Sequence, residues 1–285
     1  MIKATSDSNA PVTFNVSIEG LAIYLDNFSL IRLAKQDPSR RVRFINALHS
    51  GADLMFSLTN AAEISAFQDG TLKAVRSFLD EIGPHWFPVE LNPVEVVERE
   101  SNGVTQAQSC ISQGLMKNYF RTKTSNDLPG SARIIDLSES FFRLGNILDW
   151  VGPQRDSIAQ GSRAMDEALI EKIRDHRTEF DKLPQWLDQT FPALPFIRSR
   201  PATFVYVNLV RRLILDAKGY PLKKGDGTDF CHTVIASAFA NVATLDKHWK
   251  RRVEDLPQPN EVARIYYAPQ LDEMVEDIEN CLKSR

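Results

Sequence analysis

Four acidic residues, Asp26, Glu63, Asp229 and Asp246, carry the chemistry that this chain most plainly offers. Each follows an apolar run with strand character or opens the helix beside one, in LAIYLDNFSLIRLA, DLMFSLTNAAEISAF, GDGTDFCHTVIASAF and NVATLDKHWKRRV. In an α/β sheet the carboxyl ends of the strands share one edge, and ligands bind in the crevice there. Carboxylates converging on that crevice repel one another unless a cation sits between them. Mg²⁺ and Mn²⁺ are hard cations that take oxygen ligands, and a pair of them can hold the attacking and leaving oxygens of an in-line phosphoryl displacement. Each acid alone has a local explanation as a helix cap or a first-turn anion, and Asn60 and Glu63 have the spacing of a capping box. Ser, Thr or Asn would cap as well without the repulsion. The four acids together therefore point to a divalent cation and to chemistry on phosphate.

Residues beside the acids extend the candidate site. Asp226, three positions before Asp229, could join it or be a solvated turn acid, since Asp and Gly are favoured in turns. Gly225 and Gly227 match neither GxGxxG nor GxxxxGK[ST], so they do not form a phosphate loop. Asn27 could orient a water, as could Asn60, though capping suits both. His232, about a turn past Asp229, and His248 read as packing or surface residues, with phosphate contact as the alternative. Lys223, Lys224, Lys247, Lys250, Arg251 and Arg252 flank Asp229 and Asp246. Cations at a crevice rim would position a phosphodiester backbone. Arg40, Arg41 and Arg43 read equally well as a solvated helix face. Phe141, Phe142, Leu144, Ile147 and Leu148 form an apolar stripe suited to core or subunit packing.

The elements that must position these side chains follow from periodicity. Residues 1–20 read as an arm. Strands are expected at LAIYLD (21–26), DLMFSLT (53–59), HWFPVE (85–90), NVATL (241–245) and ARIYYA (263–268), with helices between them. One helix spans Pro38 to His49, with Val42, Ile45 and Leu48 on its apolar face. Residues 91–200 show helical spacing without strand alternation and read as a helical insertion between a first part, 21–90, and a second, 201–285. Strands alternating with helices imply an α/β domain whose central parallel sheet is covered on both faces.

Composition narrows the setting. The 285 residues are 43% apolar and 25% charged, ordinary values for a globular chain. A formal charge of −3 and a pI near 6.0 give no global basic field, so any nucleic acid would meet local patches. Cys110, Cys231 and Cys281 are odd in number and far apart, which suggests reduced thiols rather than disulfides or a zinc site. No apolar run approaches the about 18 residues needed to span a bilayer, and the polar first residues lack a signal-peptide core. A cytoplasmic protein without a membrane partner is expected.

Three stretches resemble a PIN-domain nuclease. LAIYLDNFSLIRLA resembles the family's first strand and helix, FSLTNAAEISAF the second, and DGTDFCHTVIASAFANVATLDKHW the region of the third and fourth acids. Thr244, in Thr-Leu-Asp before Asp246, matches a hydroxyl that helps hold the acidic cluster or a metal water in such proteins. The resemblance covers about 21–90 and 205–270 and implies a compact three-layer α/β domain that cuts single-stranded RNA with Mg²⁺ or Mn²⁺. Asp26, Glu63, Asp229 and Asp246 would be its ligands. The long block between Glu63 and Asp229 departs from the family's spacing. A haloacid-dehalogenase pattern would need an acid two residues after Asp26, where Phe28 stands. The expected function is a metal-dependent endoribonuclease. The alternative is a catalytically inactive PIN-like module that binds RNA or protein. A homodimer and an antitoxin-like or other protein partner are left open.

Overall fold

The computed structural model describes residues 2–5, 13–16, 18, 20–35, 38–116, 118 and 143–285. The chain is α/β. Five strands form one all-parallel sheet: β3 (Leu21–Tyr24), β4 (Ala52–Ser57), β5 (Trp86–Val89), β6 (Val242–Thr244) and β7 (Arg264–Tyr266), in the order β5-β4-β3-β6-β7. The runs LAIY, ADLMFS, WFPV and VAT are buried at every position, as a sheet covered on both faces requires. A separate antiparallel pair, β1 (Ile2–Thr5) and β2 (Thr13–Val16), precedes it.

From β3 the chain adds β4 and β5 on one side and later β6 and β7 on the other. The order therefore reverses between β3 and β6, where Ile23 lies opposite Val242. Such a switch point opens a crevice beyond the strand carboxyl ends.

Two groups of helices flank the sheet. Helices α1 (Asn27–Lys35), α2 (Pro38–His49), α4 (Gly70–Ile82) and α10 (Leu271–Lys283) pack among themselves. The second group comprises α3 (Leu58–Ser65), α5 (Pro93–Ser101), α6 (Arg155–Lys182), α7 (Pro201–Leu215) and α8 (Asp226–Phe239). Helix α9 (Lys247–Glu254) packs on α7 and α8. The 28 residues of α6 give it a length of about 42 Å, and it runs along α3, α7 and α8.

Several local expectations change. The second strand stops at Ser57, because Ser57 caps α3: its hydroxyl accepts from Asn60 N at 3.0 Å, and Asn60 Oδ1 accepts from Ser57 N at 3.2 Å. The capping box is therefore Ser57–Asn60, not Asn60–Glu63, and Glu63 has no capping duty. In α2, Val42 is 55% exposed, while Phe44 and Ala47 join Ile45 and Leu48 inside, with Phe44 packed on Phe78. Asp226 is not a turn residue, since α8 begins there. Leu144, Ile147 and Leu148 are core residues, while Phe141 and Phe142 lie outside the described residues. The three cysteines form no disulfide. Among the described residues no helix is long and apolar enough to cross a membrane.

Candidate functional site

A cleft of about 180 Å³ opens at the switch point, and Asp26, Glu63, Asp229 and Asp246 all line it. They come from four separate elements. Asp26 follows β3, where its Oδ1 accepts from Ser29 N at 2.9 Å and from the Thr244 hydroxyl at 3.1 Å. The same hydroxyl accepts from Asp26 N at 2.9 Å, so Thr244, wholly buried at the end of β6, stitches the two central strands together beneath the acid. Asp26 is thus both a helix cap and a cleft carboxylate.

Glu63 points from α3 into the same space. Asn27 Nδ2 donates to its carboxylate, and Asn60 Nδ2 donates in turn to Asn27 Oδ1 at 2.9 Å. Asn27 therefore links α1 to α3 rather than capping a helix. Asp229 lies in the first turn of α8. Asp246 stands at the N-cap position of α9 but makes no side-chain cap bond. Its exposed carboxylate is available to the cleft.

Electrostatics show how crowded the cleft is. Burial, then the charges of Asp246, Asp226 and Glu63, push the Asp229 carboxyl up to about 7. Asp26 is also raised, by burial first, with Asp246 adding to it and the Ser29 and Thr244 bonds opposing it. Like charges in partial desolvation disfavour ionisation in this way.

The structure separates the remaining candidates. Asp226 does not line the cleft, nor is it solvated. Its carboxylate is buried and accepts from the Tyr220 hydroxyl at 2.6 Å and from Lys223 N at 2.5 Å. Arg252, expected at the rim, is buried instead: its guanidinium lies 4.0 Å from the Tyr220 ring centroid and donates to Asp216 at 3.2 Å. Lys250 is likewise tied down, donating to Ile265 O at 2.6 Å and pairing with Glu254 at 3.2 Å. Lys223, Lys224, Lys247 and Arg251 remain exposed on the segments that carry Asp229 and Asp246. The α2 arginines face carboxylates: Arg40 pairs with Asp272, Arg41 with Glu81 and Arg43 with Glu279.

Three further residues shape the site. His232 lines the cleft instead of serving as packing or surface. Burial pulls its imidazole down to about 4 and pushes the Tyr24 phenol well above its ordinary value. Tyr24 therefore keeps its proton, and its hydroxyl hydrogen-bonds His232 Nδ1. Phe28 lines the cleft with 63% of its surface exposed. A large apolar residue in the first turn, directly after Asp26 and Asn27, was the signal for it. Asp166, on α6, accepts from Gly225 N, Gly227 N and Thr228 N at 3.0, 2.7 and 3.0 Å. Nothing local to residue 166 signals those contacts.

The donor set suits a hard divalent cation: four carboxylates, with oxygen-bearing Asn27 and Thr228 beside them. As placed, no three His, Cys, Asp or Glu side chains among the described residues converge on one metal position. No family model, no curated protein and no solved structure matches this chain.

Proposed function

We propose that this chain is a metal-dependent nuclease of the PIN-like class, hydrolysing phosphodiester bonds of single-stranded RNA, with Asp26, Glu63, Asp229 and Asp246 as cation ligands. One observation carries the reading: four acids from four elements line a single cleft at the sheet's switch point. A Mg²⁺ or Mn²⁺ ion there would supply a Lewis acid and a water of lowered pKa. The chain's own groups supply the rest. Thr244 fixes Asp26, and Asn27, backed by Asn60, fixes Glu63. Neutral His232, which lines the cleft, would offer its second ring nitrogen to a hydrogen bond with substrate or a cleft water. Lys223, Lys224, Lys247 and Arg251 would hold the flanking backbone, which positions a strand without reading its sequence. The exposed Phe28 ring offers a face for an unpaired base.

A catalytically silent binding module is the second reading, and the absence of a converging triplet of ligands among the described residues favours it. Mn²⁺-dependent cleavage of single-stranded RNA, measured for wild type and Asp229→Asn, separates the two. Cleavage by wild type that is lost in the variant supports the nuclease. Equal cleavage by both proteins, or none by wild type, rejects it.

A further inference from the structure

We infer that Asp166 is a positioning residue for the acidic cleft, so that helix α6 makes the block between Glu63 and Asp229 an integral part of the site. The inference rests on the cation-site reading above and names what holds that site in shape.

Asp166 is only 3% exposed, and a buried carboxylate persists where its oxygens are hydrogen bonded. Its Oδ2 accepts from Gly225 N, and its Oδ1 accepts from both Gly227 N and Thr228 N. These are the otherwise unpartnered N–H groups where α8 begins, so an acid about 60 residues away in sequence provides what a local cap would. The receiving loop is built for it. Gly225 has φ of +97°, a conformation that side-chain-bearing residues rarely adopt. A Cβ on Gly227 would lie 2.7 Å from Asp166 O and 2.8 Å from its Oδ1. The Gly-Asp-Gly sequence thus receives Asp166. The next two residues, Thr228 and Asp229, line the cleft.

The same helix reaches the opposite wall. The Ser162 hydroxyl meets the Thr59 hydroxyl at 3.3 Å, and Arg155 donates to Ser65 O at 3.4 Å. Thr59 and Ser65 bracket Glu63 on α3. One helix therefore grips both acid-bearing helices, and the separation of Glu63 from Asp229 depends on it.

The test is Mn²⁺ affinity of the full chain, by calorimetric titration, with thermal stability recorded in parallel. Asp166→Asn keeps the size but loses the charge and turns an amide toward one of the N–H donors. The expected result is a folded protein whose Mn²⁺ dissociation constant rises at least tenfold. Gly227→Ala pushes Asp166 aside and gives a similar rise. The double variant binds no more weakly than the poorer single one, because both changes break one contact. Ile173→Ala, a buried apolar change on the same helix, lowers the melting temperature but keeps wild-type Mn²⁺ affinity. Unchanged affinity in folded Asp166→Asn overturns the positioning role and leaves the cation site standing. An equal loss in Ile173→Ala also overturns it, showing general loosening. A wild type that does not bind Mn²⁺ overturns the cation reading and this inference with it.

Discussion

Asp229→Asn removes a charge that the cleft accommodates at a cost while keeping the side chain's size. The folded carboxyl sits near pH 7, against about 3.9 in an unfolded chain. Between those values the native state holds a proton that the unfolded state has released, so stability falls as pH rises from about 4 to about 7. The full shift corresponds to about 4 kcal/mol, and water and counterions around a half-buried side chain reduce that to about 2 kcal/mol. With an unfolding entropy of about 2 cal/mol/K per residue, the melting temperature should move by about 3 °C. In scanning calorimetry with EDTA, Asp229→Asn should therefore melt about 3 °C above wild type at pH 8. The gap should close by about pH 4. Millimolar Mn²⁺ at pH 8 should reverse the order: at a hundredfold excess over the dissociation constant, binding adds about 2.7 kcal/mol to wild type alone. A variant no more stable than wild type at pH 8 would refute the claim that burial and neighbouring charges together disfavour ionisation of this carboxyl.

Three other outcomes follow from the same geometry. Thr244→Val leaves Asp26 N without its acceptor and Asp26 Oδ1 with Ser29 N as its one remaining donor; it should cost about 1–3 kcal/mol by denaturant melt and weaken Mn²⁺ binding. Phe28→Ala should leave stability within about 0.5 kcal/mol but weaken single-stranded RNA by about tenfold in anisotropy titrations, because base stacking on an aromatic ring contributes about 1–3 kcal/mol. Unchanged affinity there would remove Phe28 from the interface. Replacing Lys223, Lys224, Lys247 and Arg251 together should flatten the slope of log affinity against log salt by about 3, at about 0.7 per phosphate contact on a single strand.

The parallel sheet was legible because its strands are short buried runs, each followed by helical periodicity, and because parallel strands leave their carboxyl ends on one edge. That logic also places Asp26 and Asp246 beside each other, at the ends of adjacent β3 and β6. Glu63 and Asp229 lie inside helices, so their approach to the cleft depends on how α3 and α8 pack, which a linear reading only suggests. The Gly-Asp-Gly sequence reads as a solvated turn until Tyr220, Lys223 N and Asp166 are brought to it. Ser57 is hidden by the apolar run it ends, so the local spacing points to Asn60 as the cap, one helical turn too late. His232 is unremarkable in α8 until Tyr24 arrives from β3, across 208 positions of chain. The Asp166 and Tyr24 contacts join residues distant in sequence and leave no local pattern.

Mn²⁺ anomalous diffraction from a crystal of the full chain decides whether the four acids share a cation. A shared cation gives a peak in the cleft, about 2.0–2.3 Å from carboxylate oxygens of at least two of Asp26, Glu63, Asp229 and Asp246. A cleft without a peak at saturating Mn²⁺, with the four carboxylates still apart, would contradict it.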